Sequence, residues 1–370
     1  MKRALLVALV VVVVGIGFIR VLYGGGARLE DRTTAPEIST RAIETVANLP
    51  FPPGNIAVSA EGRVFFTYHP DAAPPLNVLE LVDGEPVPYP SAEFADWQTV
   101  LSLRIDRQNR LWALDHAGYG RGTPRLLAFD LATDAEVYRY EFDDDVAGTL
   151  SMLNDFQVDP AGETIYIADA SPIVHKPAIL VHDVRTRTTR RVLDQHPSVE
   201  TEDYRIQAQG RDMVVLGIYT LRIGVDSIAL DRRGEWLYYG PVTGATLWRV
   251  RAADLRDPAL SPEALAARVE SYAPKTISDG MSSDDQGNLY LTDPEHGAVL
   301  AVGPDRRLRT LVKDPMLRWP DGLSFGPDGW LYLTCSALEV VLFTAGSAVE
   351  DNAPYQIYRF KPGGTAPAGQ

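Results

Sequence analysis

Three stretches read almost as copies of one another: DSIALDRRGEWLYYGP (226–241), DGMSSDDQGNLYLTDP (279–294) and DGLSFGPDGWLYLTCS (321–336). Each opens on Asp, runs through a short apolar strand, turns at a Gly inside DRRG, DDQG or GPDG, and returns through an apolar-aromatic strand. A residue able to take positive φ closes such a turn, and a nearby Asp can bond the turn's own backbone. The same grammar recurs upstream in GNIAVSAEGRVFFTYH (54–69), LSLRIDRQNRLWALDH (101–116) and NDFQVDPAGETIYIAD (154–169). The turn residues are Gly62, Asn109, Gly162, Gly234, Gly287 and Gly329, spaced by 47, 53, 72, 53 and 42 residues.

More short strands follow each pair, among them RLLAFDL, AILVHDV, TLWRV, AVLAV and QIYRF. Roughly four strands per repeat and almost no helix describe an all-β, six-bladed β-propeller over residues 41–361. A ring that hides its sheet edges places a strand near 41–49 and one near 355–360 in the same or adjacent blades. The long third interval holds HPSVETEDYRIQAQGRD from His196, read as an inserted loop or hairpin on one face. SPEALAARVESY carries Ser261 as N-cap and Pro262 at the first helical position, predicting a short helix. The segment 24–40 reads as a tether, and the tail 362–370, PGGTAPAGQ, as disordered.

The start of the chain has another character. Lys2 and Arg3 precede an apolar run from Ala4 to Ile19, so residues 1–23 read as a signal anchor or a signal peptide. The valine run and the lack of an A-x-A site favour the uncleaved anchor. A positive start places the rest outside the cytoplasm, at the periplasmic face of the inner membrane or secreted to the exterior. The expected partners are thus a membrane, through this N-terminal helix, and a small-molecule ligand.

Composition removes several function classes. Lys plus Arg total 35 against 49 Asp plus Glu, for a net charge of −14. Clustered positive charge for a nucleic-acid backbone is missing, so no nucleic acid is expected. Cys335 is the single cysteine, which excludes internal disulfides and multi-cysteine metal sites, and it reads as a small buried hydrophobe. No G-x-S-x-G, H-E-x-x-H, G-x-x-x-x-G-K-[ST] or strand-borne G-x-G-x-x-G occurs, so no nucleotide cofactor is expected.

The repeat also locates candidate chemistry. Eight residues before each turn residue stand Gly54, Leu101, Asn154, Asp226, Asp279 and Asp321. In a propeller these begin the innermost strands and converge on one channel mouth. Three like charges there call for a cation, a cationic ligand or raised pKa values. Oxygen donors alone favour Ca2+ or another divalent cation, with Asn154, Asp226, Asp279 and Asp321 as the metal candidates. The competing reading makes each Asp an Asx-turn former. His116, Asp169, Glu295 and His296 end second strands or follow them, where loops border a mouth, and are further ligand-binding candidates.

The strings LSLRIDRQNRLWALDHAG, LNDFQVDPAGETIYIADAS, GVDSIALDRRGEWLYYGPVTG, ISDGMSSDDQGNLYLTD and RWPDGLSFGPDGWLYLT resemble successive blade signatures of the yellow/major royal jelly protein family. The resemblance covers about residues 45–361. It implies an exported six-bladed propeller whose central cavity binds small molecules, with insect members linked to dopachrome conversion or to capture of biogenic amines. The disulfides of that family have no counterpart here. A more distant resemblance is to the gluconolactonase/regucalcin propellers, which hold a divalent cation in the channel. Asn154 in LNDF and Asp321 in PDG are similar to two of those ligands, whereas their early Glu has no match in FPPGNIAV, where Asn55 is the nearest polar residue. The function expected first is small-molecule binding at the channel; the alternatives are a metal-dependent lactonase or hydrolase and a dopachrome-type tautomerase.

Overall fold

The computed structural model describes residues 2–344 and 346–369, without the side chains of residues 2–9 and 22. Six four-stranded antiparallel sheets form the body. Their innermost strands are Pro53–Val58, Val100–Ile105, Leu153–Val158, Val225–Leu230, Met281–Ser283 and Pro320–Phe325, opening blades 1 to 6 in chain order. Each is followed by its hairpin partner, and the six residues expected to close those hairpins all have positive φ, from 60° at Asn109 to 87° at Gly62. Asn109 takes a conformation that Asn tolerates better than most residues, which is why it can stand where the other repeats have Gly.

The acidic turn residues behave as the repeat suggested. Asp106, Asp159, Asp231 and Asp284 each accept backbone N–H groups from two to five residues downstream. Ring closure is also as expected: Glu44–Leu49 pairs antiparallel with Tyr355–Phe360 and becomes the outer strand of blade 6. Apolar faces of successive blades then pack against each other, as where Ile179 and Val181 of blade 3 meet Ile228 and Tyr239 of blade 4.

The long third interval contains two short hairpins, Gln207–Ala208 with Arg211–Asp212 and Val214–Val215 with Tyr219–Thr220. Pro262–Ala266 is a helix whose N-cap, Ser261, accepts the Ala264 N–H. A helix also runs from Lys2 to Tyr23. Among the described residues, no helix is long and apolar enough to cross a membrane. The part with described side chains runs from 10 to 21, about 18 Å at 1.5 Å per residue, and the charged leader start at Lys2 and Arg3 lies outside it.

Two terminal segments differ from the sequence reading. The segment read as a tether is bonded to the body. Ala27 pairs with Tyr204, Arg32 donates to the carbonyls of Ala245 and Lys275, and the Ile38 N–H donates to the Leu311 carbonyl. It is a strap across blades 4 and 5, because its charged and hydroxyl side chains find backbone carbonyls, Thr310 and the basic His296, Arg309 and Lys313 there. The tail is also packed. Gly369 exchanges backbone bonds with Phe325 and Ile105, and the Thr365 carbonyl accepts from Asp285. Gly and Ala side chains are small enough to lie flat over the turn face, where strand ends leave backbone groups free.

Candidate functional site

At the face opposite the turns, the starts of the inner strands surround a cavity of about 580 Å3. Its floor is polar: Asn55, Asn154, Asp155, Asp226, Asp279 and Asp321. Its walls come from several loops. Leu101 stands on blade 2, Tyr119 after that blade's second strand and Met152 just before blade 3. Tyr219 stands on the second insert hairpin, with Leu221 and Ile223 after it. Leu338 and Val341 belong to a short helix between the second and third strands of blade 6, with Leu342 and Phe343 after it; His69, Asp71 and Arg121 add polar groups. The four residues placed together by the repeat therefore do share one floor.

The DG dipeptides have a steric origin. A Cβ on Gly280 would sit 1.9 Å from the Asp321 carbonyl oxygen, and one on Gly322 would sit 2.9 Å from the Asn55 Cα. Adjacent blades approach backbone to backbone at the floor, and only glycine leaves the space. Threonines on the second strands tie the same junctions. Thr334 bridges the Gly322 N–H and the Gly54 carbonyl, and Thr67 bridges the Asn55 N–H and the Leu101 carbonyl.

The carboxylates are bonded to side chains rather than to their own turns. Asp226 accepts from Asn154 Nδ2 at 2.6 Å, and Asp279 accepts from Trp319 Nε1 at 2.5 Å. Asp155 accepts from Asn55 Nδ2 and Ser102 Oγ and faces the Arg104 guanidinium at 3.5 Å. Arg104 also donates to Asn55 Oδ1 at 2.7 Å. Burial raises all four acids; repulsion between carboxylates adds to it at Asp226, Asp279 and Asp321, whereas Arg104 and Ser102 oppose it at Asp155. Asp279 is pushed up to about 6 by burial, with Asp155 adding and Trp319 and Lys275 opposing. Asp226 and Asp321 are pushed well above the ordinary carboxylate range by burial and then by Asp279 and Asp155.

The sequence profile described as major royal jelly protein matches residues 98–330, well over half of the chain. The chain belongs to the major royal jelly protein family. It is 30% identical to major royal jelly protein 1 of Apis mellifera over 209 residues, 49% of this chain and 45% of that one. It thus matches about half the length of that relative. Among solved structures it is similar to a gluconolactonase from Xanthomonas campestris, with a TM-score of 0.55 at 13% identity over 91% of this chain and 97% of the other. Regucalcin from Agrobacterium tumefaciens, described as a calcium-binding protein, gives 0.55 at 13% over 87% and 97%. These likenesses are of fold.

Asp155 was missed by the repeat reading because strict alternation sends the neighbour of Asn154 to the other face of the strand. A register shift between Leu153 and Phe156 breaks the alternation, so Asn154 and Asp155 both line the floor. Arg104 was missed because an arginine inside a channel has no local signature; its partners come from blades 1 and 3.

The other four candidates lie outside the pocket wall. His116 is buried against Tyr119, accepts that residue's N–H, and is pushed down to about 4 by burial. Asp169 is bonded to Ser151, the Met152 N–H and Arg191. Glu295 accepts the Gln207 N–H, which holds the insert, and burial pushes it up to about 7. His296 bonds Asp293 at 2.9 Å and reaches Asp31 of the strap at 3.5 Å. All four brace the loops around the mouth.

Among the described residues no group of three or more His, Cys, Asp or Glu is arranged to hold a metal ion. Asp226 and Asp279 each have an oxygen committed to a side-chain donor, and Asp155 already faces an internal cation, Arg104. This arrangement does not fit a preformed metal cage.

Proposed function

We propose that the protein is an exported propeller that binds a small organic cation, an alkyl or aromatic amine, in the channel mouth. One observation carries the reading: four carboxyl groups converge on the floor, those of Asp155, Asp226 and Asp279 buried and that of Asp321 half-buried, and among the described residues the one guanidinium in hydrogen-bonding contact with them, that of Arg104, reaches Asp155 alone. A cation on the floor would let more of these groups ionise, and charge-assisted N–H···O bonds would fix its position. The apolar walls suit the body of such a ligand.

A calorimetric panel tests this. Phenethylamine, hexylamine and the uncharged hexanol are titrated into the full chain, with CaCl2 in parallel. Amines binding while hexanol does not, with Asp279→Asn and Asp321→Asn weakening them, is the expected result. Ca2+ binding that depends on the same residues, with no amine binding, would replace this reading by a metal-dependent one of lactonase type. Export is tested separately by fusing a reporter active only in the cytoplasm after Gln370; its activity would overturn the compartment.

A second reading, proton transfer on a bound substrate, has its own support. Asp279 is held at about 6 on the pocket floor, where a carboxyl both accepts and returns a proton near neutral pH. Turnover of a dopachrome-type substrate, lost in Asp279→Asn, is its test.

A further inference from the structure

Around the mouth, three separate loops expose large apolar side chains: Ile173 at 48%, Val174 at 39%, Leu216 at 88% and Phe343 at 47%. Ile173 and Phe343 line the pocket itself, and Leu216 tips the hairpin that carries the pocket residue Tyr219. Outside the N-terminal helix, the other exposed large apolar side chains among the described residues are Val82, Val87 and Val137. Those three stand on outer strands of blades 1 and 2 and do not ring any opening. A clustered apolar rim on an acidic protein marks a docking surface.

The N-terminal helix leaves the body at this same rim. The Tyr23 ring stacks on His175 at 5.2 Å with an interplanar angle of 5°, and lies 6.0 Å from the Tyr219 ring. A Cβ on Gly24 would meet the Ile218 carbonyl oxygen, two residues past the hairpin tip. From Val10 to Val14 the helix exposes one valine after another. The strap then leaves little slack. Ala27 is paired with Tyr204, Asp31 reaches His296, and Arg32 is held by two carbonyls of blades 4 and 5. Whatever surface receives the helix is therefore held close to the mouth.

We infer that the mouth of the pocket faces and touches a lipid bilayer. The inference rests on the reading of residues 1–23 as a membrane helix. The occupant is a bilayer rather than a protein because the rim is continuous with a helix whose last turn is apolar apart from Arg20, a side chain long enough to reach a headgroup interface. With a net charge of −14 the contact is apolar in origin, so it is made to neutral, zwitterionic lipid. The pocket would then receive its ligand from the lipid interface, where amphiphilic amines concentrate.

The test uses the full chain in phosphatidylcholine vesicles. Leu216→Cys and Phe343→Cys place a fluorophore on the rim, and Glu61→Cys places one on the opposite, turn-bearing face. The native Cys335 is buried, and burial pushes its thiol well up, so the introduced thiol takes the label. Lipids brominated along their acyl chains quench what they touch. Loss of emission at 216 and 343 with none at 61 is expected. Protein that floats with the vesicles but is not quenched at 216 and 343, or is quenched at 61, overturns the orientation while leaving the membrane helix standing. Protein that fails to float overturns both. Rim probes shielded equally by unbrominated vesicles and by a vesicle-free dimer would assign the rim to a second copy and also overturn the inference.

Discussion

Replacing Asp279 by Asn removes one floor charge and keeps the acceptor that Trp319 Nε1 uses at 2.5 Å. The Asp279 carboxyl rises from its ordinary 3.8 to about 6 on folding. Below pH 3.8 it is protonated in both states and costs nothing. As the pH rises from 3.8 to 6 the unfolded chain ionises it and the folded one resists, so stability falls. Above 6 the deficit is constant, at about 3 kcal/mol for a difference of two pKa units. Asp279→Asn should therefore stabilise the ligand-free protein at pH 8 by up to this amount. For a domain of this size that is a rise in Tm of about 4 °C. The gain should shrink through pH 6 and vanish near pH 4. The assay is calorimetric melting at pH 4, 6 and 8 after dialysis against EDTA in an amine-free buffer. A variant no more stable than the parent at pH 8, or an effect independent of pH, would refute the claim that the floor carries unrelieved charge.

Three further outcomes follow from the same geometry. Amine affinity should rise from pH 5 to pH 8 with proton release, because ligand binding ionises acids held neutral; buffers of different ionisation enthalpy read the proton count, and proton uptake would contradict the scheme. Arg104→Met leaves Asp155 buried without its cation and should cost about 3–5 kcal/mol, part of it restored by adding Asp155→Asn; an unchanged melting temperature would mean the 3.5 Å pair is of no consequence. Gly280→Ala drives a Cβ into the Asp321 carbonyl and should abolish amine binding while far-UV circular dichroism still reports β-sheet; full binding would show that the blade 5–6 junction has slack.

Several features were determined by the sequence alone, and for local reasons. A hairpin needs a residue that tolerates positive φ, so six such residues in one repeated setting announced six blades. Once the blades close around an axis, one repeat position becomes a ring, which brought Asn154, Asp226, Asp279 and Asp321 to one floor. Ring closure itself required the first strand to complete the last blade, as Glu44–Leu49 does. Other features were decided only by tertiary structure, since their causes lie in contacts between distant segments. The bulge that turns Asp155 into the channel has no mark in NDF, and Arg104 acquires its role only when blades 1 and 3 supply Asn55 and Asp155. His116, Asp169, Glu295 and His296 share loop positions beside the mouth, but local hydrogen bonds set their side chains to bracing. The strap and the tail, Gly-rich and featureless as sequence, are ordered by free backbone groups at blade ends far away along the chain.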